Sequence, residues 1–297
     1  MKIKSKEDRI VDVCSIVLVT LYASFCIYPI IYCLSMSLSG TDAIIRSSVR
    51  LLPQGLNLDS YKLVLNNAKF FMYFKNAVSY TVIGTLISLA ANLTLGYVMS
   101  RKNFVFKKAL TVYILIPMMF GGGLIPTFLL IKSLHMYNTI WALVLPGAVS
   151  IWNAILAKTF FQSTIPIDVI ESAIIDGASD WKIFMRIVLP LSTTIIAILS
   201  LYAAVGIWND YFTALIYIKD ESLKPLQLYL KEVLSNSANV STSLSAMLDP
   251  KDYAANYVNT TRIKYVLIIV STLPIMIVYP FIQKYFVKGV MLGSVKG

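Results

Sequence analysis

The stretch ESAIIDGASDWKIFMRIVLP, Glu171 to Pro190, is where this chain can do chemistry: Glu171, Asp176, Asp180, Lys182 and Arg186 crowd together between runs apolar enough for lipid. Carboxylates and cations interspersed with isoleucines raise the question of what such a segment could touch. Proton transfer or metal chemistry would need acidic or histidine side chains clustered near an interface, and no pair is so placed. His135, the one histidine, is expected as an exposed loop residue near the outer end of the third or fourth apolar run. Cys14, Cys26 and Cys33 all fall in the first apolar run, odd in number and without histidine company, which suits packing better than a disulfide or a metal site. No glycine is followed by lysine, so a Walker A phosphate loop is absent, and neither metal nor cofactor is expected in this chain.

The elements that must carry these charges are short. Pro166 suits a first helical turn, and Ile167, Ile170 and Ile174 then recur at helical spacing as one apolar stripe with Glu171 beside it. Gly177 breaks the run, Asp180 is expected to cap a second helix, and Trp181, Phe184, Ile187 and Val188 form its apolar side before Pro190. Two amphipathic helices joined at a glycine offer an apolar ridge with charged edges. An ordinary loop resting on the membrane surface would show the same amphipathicity.

Around this segment the composition is that of a membrane protein. Of 297 residues, 57% are hydrophobic and 14% charged, whereas soluble domains carry about a quarter charged residues; mean hydropathy is +0.72. Roughly 20 helical residues cross a bilayer core. Six spans fit, at about 11–38, 77–100, 109–131, 137–160, 191–218 and 263–286, leaving the charged loop at 163–190 and a further loop at 219–261. The sequence predicts an all-α integral membrane protein, one domain over 1–297. The net charge of +11 reads as a positive-inside bias rather than a nucleic-acid footprint. Lys2, Lys4, Lys6 and Arg9 precede the first span, and Arg101, Lys102, Lys107 and Lys108 follow the second, so both segments are expected in the cytoplasm. With six spans both termini and the Glu171 loop share that side, together with Lys284, Lys288 and Lys296. The apolar run after the basic start is too long for a signal h-region and has no clear cleavage site, so an uncleaved first span is expected.

Three further segments are informative. Pro53, Gly55 and Asn57 signal turns after span one, and Tyr61, Val64, Leu65, Phe70, Phe71 and Phe74 then form an aromatic stretch, either lying along the membrane surface or folded as an outer loop. Pro117, Gly121 to Gly123 and Pro126 forbid a regular helix through span three. In the 219–261 loop a short helix is expected near Leu226 to Leu234, and Tyr229, Leu230, Val233, Leu234 and Leu244 imply that the loop is folded.

The charged loop resembles the EAA loop of ATP-binding-cassette importer permeases: Glu171, Ser172 and Ala173, then Gly177 after three residues, then Ile187, Leu189 and Pro190 after nine. Ser172 departs from the pattern at one small position. Asp176-Gly177-Ala178, Trp208-Asn209-Asp210-Tyr211 and the ending Gly289 to Gly297 are similar to the carbohydrate branch of that family, and to the smaller permease subunit of the maltose importer, over essentially the whole chain. The resemblance implies a type I importer permease fold with a cytoplasmic coupling helix, in the bacterial cytoplasmic membrane. It implies a second homologous permease, a dimer of cytoplasmic ATPase subunits that bind the ATP and Mg, and an external solute-binding protein as partners, besides membrane lipid and without nucleic acid. By the same resemblance Glu171 makes the electrostatic contact to the ATPase, Ala173 and Gly177 allow close approach, and the isoleucine stripe adds apolar contact. The 219–261 loop would touch the binding protein, and the terminal Lys296 and Gly297 would reach the ATPase dimer.

The cargo path is less marked. Asp210 is the one carboxylate inside a span, at a cost of about 2.5 to 3.5 kcal/mol near a bilayer centre. It stands either on the path or in structural bonding or gating, with water or Lys219 to satisfy it if it lies toward the outer end of its span. Asn92, Trp152, Asn153, Trp208 and Asn209 suit sugar rings and hydroxyls, and suit interhelical packing equally. The expected activity is sugar or oligosaccharide import by alternating access, with a peptide, amino acid or anion as alternative cargo. A secondary transporter would need more buried ionisable groups or repeated halves, and a lipid-modifying enzyme would need clustered acids.

Overall fold

The computed structural model describes the backbone of residues 6–243 and 250–294 and the side chains of 9–235 and 258–283. The readings on Lys2, Lys4, Leu244, Lys296 and Gly297 lie outside the described residues, as do those on the side chains of Lys6, Lys284 and Lys288. Among the described residues every regular element is a helix. The order begins α1 (Lys6–Leu38), α2 (Thr41–Ile45), α3 (Asp59–Leu65), α4 (Ala68–Ser100), α5 (Lys107–Met119) and α6 (Leu124–Ser133). It continues with α7 (Trp141–Val144), α8 (Ile151–Thr164), α9 (Ile167–Ile175), α10 (Asp180–Ile183), a π-turn over Phe184–Val188, and α11 (Leu189–Leu191). It closes with α12 (Thr193–Asn209), α13 (Phe212–Tyr217), a 3-10 turn over Glu221–Leu223, α14 (Leu226–Ser243) and α15 (Pro250–Ser294).

Among the described residues three helices are long and apolar enough to cross a bilayer: Arg9–Leu38, Ala68–Ser100 and Val258–Gln283. Counting each bent pair as one span gives up to five. The pairs are α5 with α6, bent 117° at Gly121 to Gly123, and Asp180–Leu191 with α12, bent 84° at Ser192. Gly123 has φ +78, a conformation that glycine adopts without steric cost, so the Gly run turns the chain where the sequence forbids a regular helix. The span expected at about 137–160 is built from two helices, α7 and α8, separated by Leu145 to Ser150. Pro146 lacks a donor and Gly147 follows it, so the helix stops there and restarts where the Ser150 hydroxyl accepts the Asn153 N–H.

Two other expectations change. The aromatic stretch 61–74 is not one surface segment: it divides at Asn66 and Asn67, and Phe70 and Tyr73 are buried in the first turns of the long α4. Of the 219–261 segment the described residues are mainly helix, in α14 and the start of α15, so the helix expected near Leu226 to Leu234 extends to Ser243.

The chain divides into two compact units, Met1–Phe70 with Leu230–Leu273, and Phe71–Tyr229 with Pro274–Gly297. In the first, Met36, Ile44, Val49 and Val258 form the core. Arg262 is buried beside it and donates from Nε to the Ser39 carbonyl (3.1 Å) and from Nη2 to Thr41 Oγ1 (3.1 Å), anchoring the chain that leaves α1. In the second, one face of α4 carries Gly84, Ser88, Asn92 and Gly96 at four-residue spacing. Small residues one turn apart let helix backbones approach closely. A Cβ on Gly84 would lie 2.6 Å from Ile207 Cδ1, and one on Gly96 would lie 2.6 Å from Ala157 Cβ.

Candidate functional site

α9 and its turn are built by local rules. Pro166 stands at the N-cap position (φ −60, ψ 135) and Asp168 places a carboxylate in the first turn, where the helix dipole favours negative charge. At the other end Gly177 N–H donates to the Ile174 carbonyl (3.0 Å) and Ala178 N–H to the Ala173 carbonyl (2.9 Å). This is a Schellman turn, and its left-handed residue is Gly177, φ +71. A Cβ there would meet nothing within 4 Å, so within this chain the glycine is required by backbone conformation and not by crowding. Ser172, the departure from Ala, turns its hydroxyl back to donate to the Asp168 carbonyl (2.8 Å) and fits without loss.

One side of this module is packed and the other is bare. Ile170, Ala173 and Ala178 rest on a core of Leu93, Tyr97, Phe161, Ile183, Phe184 and Val188, joined by Ile187 and Leu189. Glu171, Asp176 and Pro190 are exposed, and Ile175 is 85% exposed. The expected stripe is therefore divided: Ile170 turns toward the core, while Ile167 and Ile174 stay exposed beside Glu171. A cavity of roughly 360 Å³ runs along this edge, lined by Arg101, Lys102, Gln162, Ile170, Glu171 and Ile174 among others. Within the described residues the Glu171 carboxylate has no hydrogen bond or ion pair, so its charge is available to a partner.

The second helix corrects two expectations. Its cap is Ser179, whose Oγ accepts the Lys182 N–H (3.4 Å); Asp180 is the first helical residue. Trp181 is 61% exposed instead of belonging to the apolar side, because it sits in the first turn beyond the core edge and only flanks Phe184, ring centroids 5.8 Å apart. Ile183 takes the buried place. The Ser192 hydroxyl donates to the Val188 carbonyl (2.6 Å) at the bend into α12, satisfying an acceptor that Ser192 N–H, bonded to Leu189, leaves open.

The path candidates do not form one cluster. Asn92 is 1% exposed. Its Nδ2 donates to Ser88 O (2.7 Å), Ser88 Oγ (3.0 Å) and Ala148 O (2.8 Å), while Oδ1 accepts the Ser150 N–H (2.9 Å). Its amide joins α4 to the α7–α8 connection, a structural use of the side chain. Asn153 is buried at the start of α8, Trp152 is 62% exposed, and Asn209 is exposed with Nδ2 donating to the Val205 carbonyl (2.9 Å). Trp208 is buried edge-on against Phe74, centroids 5.9 Å apart. It lines an apolar cavity of roughly 180 Å³ with Val78, Thr81, Leu201, Val205 and Pro274.

Asp210 lies where α12 stops, and its Oδ1 accepts the Thr213 N–H (3.0 Å) at the start of α13. The carboxylate thus finds its partner in the broken backbone, not in Lys219. Asp210→Asn keeps an acceptor and is expected to keep both thermal midpoint and uptake, whereas Asp210→Ala removes a cap worth about 1 kcal/mol. Thermal unfolding and transport on both variants check this. Uptake lost in the Asn variant at an unchanged midpoint would place the charge itself on the path.

The sequence reading missed residues that fix the chain after α13. Asn138, at φ +59, accepts the Lys219 and Asp220 N–H groups on Oδ1 (2.9 and 2.8 Å). From α4, Tyr73 OH donates to Glu221 Oε1 (2.9 Å), Asn76 Nδ2 to the Ser222 and Lys224 carbonyls, and Tyr80 OH to the Leu223 carbonyl (3.0 Å). Bonds from the Ser222 N–H and hydroxyl hold the exposed Asp220 carboxyl below its ordinary range. Tyr73, Asn76 and Tyr80, three and four residues apart and so on one face of α4, were the available signal, hidden inside an apolar run.

Comparison with known proteins bears on the whole chain. Residues 92–292 match the family model described as binding-protein-dependent transport system inner membrane component. The polygalacturonan/rhamnogalacturonan transport system permease protein YtcP of Bacillus subtilis is 36% identical over 291 residues, 98% of this chain and 100% of the relative. Protein LplC of the same organism is 38% identical over 295 residues, 99% of this chain and 97% of the relative. Among solved structures, a chain from the crystal structure of a bacterial ABC transporter involved in import of the acidic polysaccharide alginate superposes with a TM-score of 0.84 at 30% identity, covering 96% of this chain and 100% of that one.

Proposed function

The chain belongs to the family of binding-protein-dependent transport system inner membrane components, and from that premise we propose that it is a permease subunit of an ATP-driven importer carrying a sugar or oligosaccharide across the cytoplasmic membrane. It is a multi-pass membrane protein and not itself an enzyme; ATP and Mg belong to a separate ATPase. The relatives named for polygalacturonan/rhamnogalacturonan transport and for alginate import support the cargo class. In this reading six spans cross the bilayer, α7 and α8 together forming the fourth and α12 with α13 the fifth. Both termini and α9 face the cytoplasm, a second permease completes the pathway, and a binding protein delivers cargo from outside.

One observation carries the mechanism: α9 is an exposed helix on a packed base, with the uncommitted Glu171 carboxylate at its rim. We assign α9 as the coupling helix. Glu171 pairs with a cation of the ATPase; Ile167, Ile174 and Ile175 supply apolar contact, and Ala173, Asp176, Gly177 and Ala178 shape the turn. Ile187, Leu189 and Pro190 hold the module to the bundle. ATP-driven closure of the ATPase dimer moves α9 and, through the shared core, α4 and α12. The loaded binding protein must favour the same outward-open state, since a partner shifts an equilibrium only by its differential affinity.

The test uses the complex purified through a tag on this chain and placed in vesicles. Glu171→Ala is expected to lower ATPase recovery while membrane insertion is unchanged, and the native complex is expected to take up labelled oligogalacturonide or maltodextrin pools with ATP. Normal recovery in the variant contradicts the docking role. Uptake of peptides or amino acids in place of both sugar pools overturns the cargo class.

A further inference from the structure

We infer that Arg101 and Asp180 form a latch between the end of α4 and the start of α10, making Arg101 a positioning residue for energy coupling; the inference rests on α9 being the docking helix. Arg101 is the first residue beyond α4, and its Nη2 lies 3.6 Å from Asp180 Oδ1. Its guanidinium carbon sits 5.6 Å from the Tyr97 ring centroid, a cation–π distance. Tyr97 OH in turn donates to the Asp180 carbonyl (3.5 Å), and its ring lies 4.8 Å from that of Phe184. Gln162 Nε2 donates to the Ser100 carbonyl (3.3 Å), joining α8 to the same point.

The surroundings explain why this contact matters. Arg101 separates two cavities, of roughly 360 Å³ beside Glu171 and 530 Å³ beside Phe104, Val105 and Ile174. Among the described residues these two cavities lie between the turn after α4 and the docking module. Ile183 and Phe184 seat the C-terminal end of α10 in the core, while its exposed start is held by the long Tyr97 OH bond to the Asp180 carbonyl and by the Arg101–Asp180 pair. The pair is thus the side-chain tether that sets how closely the start of α10 lies against the end of α4. Because the Asp180 side chain is 79% exposed, the pair adds little to folding stability, so its loss loosens the start of α10 without unfolding the chain. The sequence shows Arg101 only as part of a basic loop, and nothing in the Glu171 to Pro190 spacing names its partner.

The experiment is done on the whole complex in nanodiscs, with nitroxide labels at the exposed Lys182 in α10 and Leu86 in α4 and with MgATP plus vanadate as the trapping probe. In the native background the label-to-label distance distribution is expected to stay narrow with and without trapping, because the two sites move as one body. R101D and D180R are each expected to broaden it about twofold, as a locally loosened element would. The R101D/D180R double variant, which restores the pair with reversed polarity, is expected to return the native width. Unchanged widths in the single variants, failure of the double variant to restore them, or loss of the ATPase from the single variants overturns the latch. Glu171→Ala retaining its ATPase would remove the docking reading and leave the widths intact, since they are measured within this chain.

Discussion

Gly177→Val is expected to abolish ATP-driven uptake while the protein still inserts and folds. At φ +71 any residue with a Cβ is strained, by about 1–2 kcal/mol for an ordinary side chain and more for a β-branched one. The Schellman bonds of Gly177 to Ile174 and of Ala178 to Ala173 exist only in that conformation. Relief of the strain therefore opens the last turn of α9 and swings α10 away from its seat. No neighbour lies within 4 Å of the added Cβ, so the loss tracks backbone preference and not side-chain volume. Gly177→Asn, which tolerates left-handed backbone, is expected to keep most of the activity, Gly177→Ala to fall between, and Gly177→Val to lose roughly tenfold or more of the recovered ATPase. Copurified ATPase and hydrogen exchange at the Gly177 and Ala178 amides read the two consequences separately. Full ATPase recovery and full amide protection in the valine variant would show that the turn does not depend on glycine.

The same residues show what the sequence can and cannot say. Gly177 is legible because a helix C-terminus has a chemical rule that needs only nearby residues, and the position of α9 follows from it. The apolar runs at α1, α4 and α15 are legible for the same reason: composition and length suffice. What composition cannot show is where a run bends. Residues 137–160 are apolar throughout except for a few polar side chains, yet Pro146 and Gly147 divide them into α7 and α8, and the direction taken after the break depends on Asn92 from a helix far off in sequence. Asn92 and Asp210 illustrate the limit for sites. Each is an unexpected polar group in an apolar stretch, which marks it equally for cargo or for backbone repair. The broken connection that Asn92 bonds and the helix start that Asp210 caps become visible only in three dimensions. Arg101 failed in the opposite way, because its charge was fully accounted for by membrane topology and left nothing to explain.

Gly96 carries the second large effect. α4 meets α8 there so closely that a Cβ on Gly96 would lie 2.6 Å from Ala157 Cβ, 3.0 Å from the Ala154 carbonyl oxygen and 3.0 Å from the Lys158 nitrogen. Two of these three are backbone atoms of a helix and have no rotamer into which to retreat, so the helices must separate. Overpacking of this kind costs about 1–3 kcal/mol, and the displaced face includes Tyr97 and Phe161 in the core that seats α9. Gly96→Ala is thus expected to lower the thermal midpoint of the detergent-purified complex and to reduce ATPase recovery with it, and Gly96→Leu to prevent assembly. Adding Ala157→Gly removes the nearest clash but neither backbone contact, so it is expected to restore only part of the lost midpoint. Complete restoration would mean that the Ala157 methyl alone sets the spacing. No loss in Gly96→Ala would mean that α4 and α8 slide freely, and the packed base under α9 would then be too soft to transmit a stroke.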